Sequence, residues 1–183
     1  KVTETVDASS AEIDQLRYIV ECFSAEMSTR RAIISMGDVM KDDFDTEGCL
    51  KKTLDIPCTR ELHFIKQPNS NKLDVIVKMR SNDIIWGASA VNIFNYTFIQ
   101  EYMAAILGLE VGNYYHFADN FHYYHRHKEM VEQLSEIKDV IDEPYTYDKT
   151  FRSLEDFDNL VKELCSEERK MRLDKCYSYR EIS

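Results

Sequence analysis

No stretch of this sequence approaches the ~18 consecutive apolar residues that a membrane-spanning helix requires. No short apolar segment near the first residue follows basic residues as a secretory signal would. Membrane spanning and secretion are therefore not expected. Cysteine pairs at metal or redox spacing are missing as well. The five cysteines, Cys22, Cys49, Cys58, Cys165 and Cys176, are odd in number, widely spread and contain no Cys-x-x-Cys. A chain of 183 residues needs no covalent staples, so free thiols in a reducing, cytoplasmic setting are expected. Positive charge is scarce: 23 Lys and Arg oppose 33 Asp and Glu, for a net charge of −10 with histidine neutral. Such a surface repels a polyanion yet leaves room for a local pocket that holds one phosphate. Nucleic acid is thereby disfavoured and a nucleotide is not.

What is present suits a folded core, with 44% hydrophobic residues, 11% aromatic and 31% charged. No repeat, low-complexity tract or strong linker divides the sequence, so a single domain over residues 1–183 is expected, with 166–183 read as a charged tail. The first residue is Lys1 rather than methionine, which leaves open residues ahead of it.

Ser9-Ser10-Ala11-Glu12, followed by Ile13, Leu16, Ile19, Val20 and Phe23 at helical steps, predicts an amphipathic helix over about 10–26. Ala32 to Met36 is a β-branched run that predicts a short buried strand, with Arg30-Arg31 at its mouth. Residues 41–47 are acidic and predict a solvated loop. Residues 62–66 and the alternating Leu73, Val75, Val77 and Met79, separated by Gln67-Pro68-Asn69-Ser70-Asn71, predict a hairpin. A long, largely buried helix is expected over about 90–107, ending near Gly108. The aromatic runs at 114–117 and 121–125 suit extended structure. A last helix is expected over about 153–165.

Cys58, after Pro57 and just ahead of Thr59 and Arg60, is a candidate nucleophile, set against the commoner buried structural cysteine. Arg80-Ser81-Asn82-Asp83 closes a strand ahead of the long helix. Arg and Ser there can grip phosphate oxygens, the Arg bidentately, although a bare Arg-Ser-x-Asp also reads as a polar turn with a helix cap. His116, His122, His125 and His127 fall within twelve residues. On an extended segment His125 and His127 share one face and His122 the other, and no acidic or cysteine partner has ligand spacing. No metal is expected, and aromatic strand packing is the plainer reading.

Taken in order, Pro57-Cys58, Arg80-Ser81-Asn82-Asp83, Gly87, Asn92, Tyr96, Gly108-Leu109, Gly112, Asp119, His122, Tyr124 and His127 resemble the thymidylate synthase family. Upstream, Ser28 to Ile34 resembles that family's paired-arginine motif before a strand. The likeness covers about residues 12–130. It implies an α/β (α+β) fold with a mixed sheet packed across a two-fold dimer. It also implies one-carbon transfer from 5,10-methylenetetrahydrofolate to carbon 5 of a pyrimidine nucleoside monophosphate. By this resemblance Cys58 would attack carbon 6 of the ring, and Arg80 with Ser81 would bind the phosphate. Arg30 and Arg31 would reach that phosphate from the other subunit of a homodimer with a shared active site. Asn92 would read the pyrimidine edge, His122 and Tyr124 would hold the sugar, and Asp83 would contact folate. An amide at the base edge leans towards uracil, because the family's cytosine-using relatives tend to carry aspartate there.

Several positions depart from the family pattern. Thr59 replaces a histidine, Met79 a glutamine, and Arg126 precedes His127 where an amide is usual. One extra residue lies between Gly87 and Asn92. Nothing matches the family's N-terminal third, which supplies a catalytic glutamate, a further arginine and a tryptophan that packs on folate. Methylation of deoxyuridylate is the leading expectation. Hydroxymethylation of deoxyuridylate or deoxycytidylate, as in viral relatives, and a non-catalytic nucleotide-binding module are the alternatives.

Overall fold

The alternation of Leu73, Val75, Val77 and Met79 is realised in β3 (Lys72–Met79), where all four side chains are buried and the residues between them are more exposed. A computed structural model describes residues 14–53, 56–139 and 152–173. These divide between two compact units, residues 1–142 and 143–183. In the first unit β3 pairs antiparallel with β2 (Thr59–Lys66), forming the expected hairpin. Its turn carries Asn69 at φ 57°, a left-handed conformation that asparagine tolerates. Strand β1 (Ile33–Ser35) flanks β2 antiparallel, and β5 (Glu110–Ala118) flanks β3 parallel, giving a mixed sheet in the order β1-β2-β3-β5. A parallel neighbour requires a long crossover. Here it runs through β4 (Asn82–Asp83), a π-helical segment (Ile84–Val91) and α3 (Asn92–Leu107).

Helix α3 packs on β3 and β5, and α1 (Gln15–Ala25) packs on β1 and α3. Between them lie Ile19, Phe23, Leu62, Phe64, Val75, Val77 and Met103, all essentially without solvent exposure. Gln100 of α3 is buried with them, and its amide is satisfied: Nε2 donates to the Leu73 carbonyl at 2.9 Å and the Asn113 carbonyl at 3.1 Å. An unpaired amide at that depth would cost a few kcal/mol. It therefore ties the helix to the two strands where their register shifts.

Helix α3 is buried through Tyr96, Gln100, Tyr102, Met103 and Ala104, a smaller share of its surface than the largely buried helix expected. Phe94 is 69% exposed and stacks on Phe98. Gly108 ends the helix at φ 66°, a conformation costly for a residue with a Cβ.

Other expectations shift. Asp14, not a serine, caps α1 by accepting the Arg17 N–H at 3.0 Å, and Ser9 to Ile13 lie outside the described residues. The acidic segment opens with a short helix, α2 (Val39–Asp42), whose cap Asp38 accepts from the Met40 and Lys41 N–H groups. The side chain of Lys41 and these N–H groups hold the Asp38 carboxyl below its ordinary value.

After β6 (Phe121–His122), residues His125–His127 form a 3-10 turn that leads into α4 (Lys128–Ser135). The extended geometry expected for those histidines is thus replaced by a helical turn, whose first bond runs from the His127 N–H to the Tyr124 carbonyl. In the second unit α5 (Leu154–Leu173) starts where Ser153 caps it and continues well past residue 165. Ion pairs Glu167–Lys170 and Glu168–Arg172, three and four residues apart, support it through residues 167–172, a charged run that suits a solvated helix end. Cys176 lies outside the described residues.

Candidate active site

The Cys58 loop and the end of β3 are neighbours because β2 and β3 form one hairpin. The Arg80 backbone N–H donates to the Cys58 carbonyl at 2.9 Å, extending the ladder by one rung. The Arg80 side chain then folds over the same loop: Nη2 donates to the Ile56 carbonyl at 2.8 Å and Nε to the Pro57 carbonyl at 3.2 Å. Two of the five guanidinium N–H groups are spent in this way, and among the described residues the others have no hydrogen-bond partner and can take an anion. Cys58 is exposed, with Sγ 4.0 Å from the Ile56 carbonyl oxygen. A cation and an exposed thiol are therefore held on one short loop.

Parallel pairing of β4 with β6 sets Asn82 against Phe121 and Asp83 against His122. It brings Ser81 Oγ within 3.5 Å of His122 Nδ1, although the residues are 41 apart in sequence. The Asn120 carbonyl, which only accepts, lies 3.3 Å from the same Nδ1, so that nitrogen carries a proton. The rings of His122 and Tyr124 meet edge to face at 5.4 Å, and the Arg126 guanidinium covers the Tyr124 ring at 5.0 Å. Arg126 also donates from Nε to His127 Nε2 at 2.9 Å. Asp83 caps the π-helical segment, with Oδ1 accepting the Ile85 N–H at 2.9 Å.

Ahead of Asn92 the backbone runs through this π-helical segment, Ile84–Val91. Its bonds skip five residues, as in the Asn92 N–H donating to the Gly87 carbonyl, so each turn holds more residues than an α-turn. Asn92 then faces β4, with Nδ2 3.1 Å from Asn82 Oδ1. Gly87 is required there, because a Cβ on it would stand 1.8 Å from Asn82 Oδ1.

Behind Asn92 lies a polar chain that the sequence reading left without roles. Asn82, 4% exposed, has Nδ2 2.8 Å from His116 Nε2, and His116 Nδ1 is 2.7 Å from the Tyr114 hydroxyl. Burial lowers the His116 pKa, and burial together with Tyr96 raises that of Tyr114. Close by, the buried hydroxyls of Tyr96 and Thr59 bond to each other. The alternation of Tyr114 and His116 along β5 was the one available signal, since it puts both on the inner face of the sheet, opposite Val75 and Val77.

Arg30 and Arg31 stand apart from this cluster. The Phe64 N–H donates to the Ala32 carbonyl, so the two arginines lie level with the far end of β2, roughly 20 Å along the strand from Cys58. There they line a cavity of about 610 Å³ with Tyr18, Cys22, Ser28 and Thr29.

A family model described as thymidylate synthase matches residues 2–159. A deoxyuridylate hydroxymethyltransferase of Bacillus phage SP01 is 37% identical over 112 residues, covering 61% of this chain and 27% of the relative. One from Pseudomonas phage M6 is 31% identical over 137 residues, covering 75% of this chain and 36% of the relative. A thymidylate synthase of Bacillus phage phi3T is 31% identical over 117 residues, covering 63% and 38%. The chain thus spans between about a quarter and two-fifths of the length of the relatives it matches. With the family model covering most of its residues, the chain belongs to the thymidylate synthase family.

Proposed function

We propose that this chain carries the nucleophile and the nucleotide-binding part of an enzyme that transfers a one-carbon unit to carbon 5 of deoxyuridylate. The observation that carries this reading is the clamp of Arg80 on the carbonyls of Ile56 and Pro57. It keeps a cation beside an exposed thiol, as a phosphorylated electrophile requires. Cys58 adds through sulfur to carbon 6 of the ring, which makes carbon 5 nucleophilic. Carbon 5 then takes the one-carbon unit and gives up its proton, tetrahydrofolate departs, and once the exocyclic methylene has been captured the carbon 6–sulfur bond breaks to return Cys58 as the thiolate. Arg80 and Ser81 hold the 5′-phosphate, His122 and Tyr124 the sugar, and Asn92 the base edge.

The co-substrate is 5,10-methylenetetrahydrofolate, which supplies the one-carbon unit. Asp83 fits its ring, because a carboxylate has two oxygens and, among the described residues, Oδ1 alone is engaged, by the Ile85 N–H.

Hydroxymethyl is favoured over methyl as the product group by one observation: two of the relatives, from phages SP01 and M6, are named deoxyuridylate hydroxymethyltransferases. In that reading water, not hydride, captures the exocyclic methylene. The family match runs from the first unit into the second, which supports one thymidylate synthase-like domain.

A homodimer is part of the proposal. Across the outer face of the sheet Ile33, His63, Ile76 and Tyr115 stand in one row, with Phe117 beside them. Tyr115 is 41% and Phe117 57% exposed, whereas His63 Nε2 is buried without a partner in the described chain. Packing two such faces would cover the aromatics and leave Arg30 and Arg31 to serve the neighbouring subunit.

The test is tritium release from deoxyuridylate labelled at carbon 5, in the presence of methylenetetrahydrofolate, with the full-length protein. Release that disappears in Cys58→Ala supports the proposal, and mass analysis identifies the added group. No release by the folded wild-type protein sinks it.

A further inference from the structure

We propose that Asn82 and His116 set which way round the Asn92 amide faces the pyrimidine, and thereby select uracil over cytosine; this rests on the role given to Asn92 above. A primary amide has nearly the same shape in either orientation. Facing the ring with its oxygen, it accepts the N3–H of uracil. Turned over, it offers an N–H to the unprotonated N3 of cytosine. An unsupported asparagine reads both bases.

Here the amide is not unsupported. Asn92 Nδ2 is 3.1 Å from Asn82 Oδ1, Asn82 Nδ2 is 2.8 Å from His116 Nε2, and His116 Nδ1 is 2.7 Å from the Tyr114 hydroxyl. Each contact takes one donor and one acceptor, so the chain has a direction. Asn92 donates to Asn82, and Asn82 donates to His116 Nε2. That nitrogen therefore bears no proton, and the neutral ring donates from Nδ1 to Tyr114.

Turning Asn92 alone would set two carbonyl oxygens against each other beside a residue only 4% exposed. Met79 Sδ, 3.7 Å from the same Asn92 nitrogen, is a weak acceptor and adds to the preference for nitrogen inward. Gly87 makes room for the arrangement by keeping a Cβ away from Asn82 Oδ1. Burial keeps His116 in the neutral form that can accept. Asn82 and His116 touch neither base nor folate in this scheme and act as positioning residues, through Asn92.

The experiment is equilibrium binding of deoxyuridylate and deoxycytidylate to the full-length protein as wild type, Asn82→Ala and Asn82→Asp. It is paired with nitrogen-15 NMR of the His116 ring in the wild type. Aspartate keeps an acceptor facing Asn92, whereas alanine removes it. Asn82→Ala is expected to lower the preference for deoxyuridylate by at least about tenfold, and Asn82→Asp to retain it. The His116 proton is expected on Nδ1.

An unchanged ratio in Asn82→Ala, with both nucleotides weakened alike, would mean a merely structural role and overturn the proposal. So would an equal loss of preference in the aspartate variant. A proton on Nε2 overturns it even if the variants fail to fold. Binding of neither nucleotide by the wild type overturns the proposed function and the base selection with it. Binding with an unmoved ratio overturns the base selection alone.

Discussion

Arg80 and Cys58 are joined twice, once through the 2.9 Å bond from the Arg80 N–H to the Cys58 carbonyl and again by the Arg80 guanidinium closing over the two residues before the thiol. Removing the side chain loses a phosphate ligand and also frees the loop that aims Cys58. Arg80→Ala is expected to lower kcat/KM for tritium release by about a hundredfold, from the loss of charge-assisted hydrogen bonds. Arg80→Lys restores the charge but not the two-point clamp, and is expected to recover only part of it. Cys58→Ala leaves no release, while nucleotide binding persists. Steady-state kinetics alongside nucleotide titration separates the two effects.

Gly87 is a packing test independent of chemistry. A methyl group there meets Asn82 Oδ1 at 1.8 Å and the Asn92 amide nitrogen at 3.2 Å, both on side chains held in place. Gly87→Ala is expected to destabilise the fold by about 1–3 kcal/mol, read as a lowered urea midpoint with an unchanged slope. A midpoint equal to that of the wild type would show that Asn82 and Asn92 give way freely.

His116 links stability to pH. Burial holds its pKa below the usual 6.5, so between the folded and unfolded values the unfolded chain binds more protons. Stability therefore rises with pH through that window. It is lost as pH falls below about 6.5 and levels off below the folded value. The groups facing the ring are Asn82, which is neutral, and Tyr114, whose pKa burial and Tyr96 raise, so that it stays protonated across this range. Replacing His116 by Gln removes this contribution. The urea midpoint of His116→Gln is expected to fall less steeply on acidification than that of the wild type, with the other histidines cancelling in the comparison. Parallel slopes would contradict it.

Subunit mixing tests the reach of Arg30 and Arg31 across a dimer. Cys58→Ala and the double variant Arg30→Ala/Arg31→Ala are each expected to be inactive alone. If the arginines serve the neighbouring subunit, a mixed dimer rebuilds one intact site, and an equal mixture recovers about a quarter of wild-type activity. Arginines acting within their own subunit leave one inactivated residue in every site, and the mixture stays inactive. Phe117→Lys, on the outer face of β5, is expected to shift the protein to monomer in light scattering.

Much of this protein is legible in local patterning. The β2–β3 hairpin follows from alternation around a Pro-Asn turn, α1 from Ile19 and Phe23 at a helical step, and the end of α3 from Gly108. These depend on neighbours in sequence, so periodicity reports them. Ion pairs along α5 were legible too, yet acidic and basic residues in alternation also describe a solvated tail, and the helix ran eight residues further than apolar spacing suggested. The 3-10 turn at His125–His127 was missed because aromatic content favours extended structure only while a strand has a partner.

The sequence by itself determined the residue types of the candidate site and their order: a thiol after proline, Arg-Ser before a helix, an amide, a histidine and a tyrosine. Tertiary structure decided which of them meet. The parallel pairing of β4 with β6 brought Ser81 to His122, and a π-helical segment turned Asn92 towards Asn82. It also built the line from Asn82 on β4 through His116 to Tyr114 on β5, two strands that lie in different sheets. Periodicity is set by backbone geometry over a few residues, whereas the direction of a hydrogen bond depends on which donor and acceptor the folded chain buries side by side.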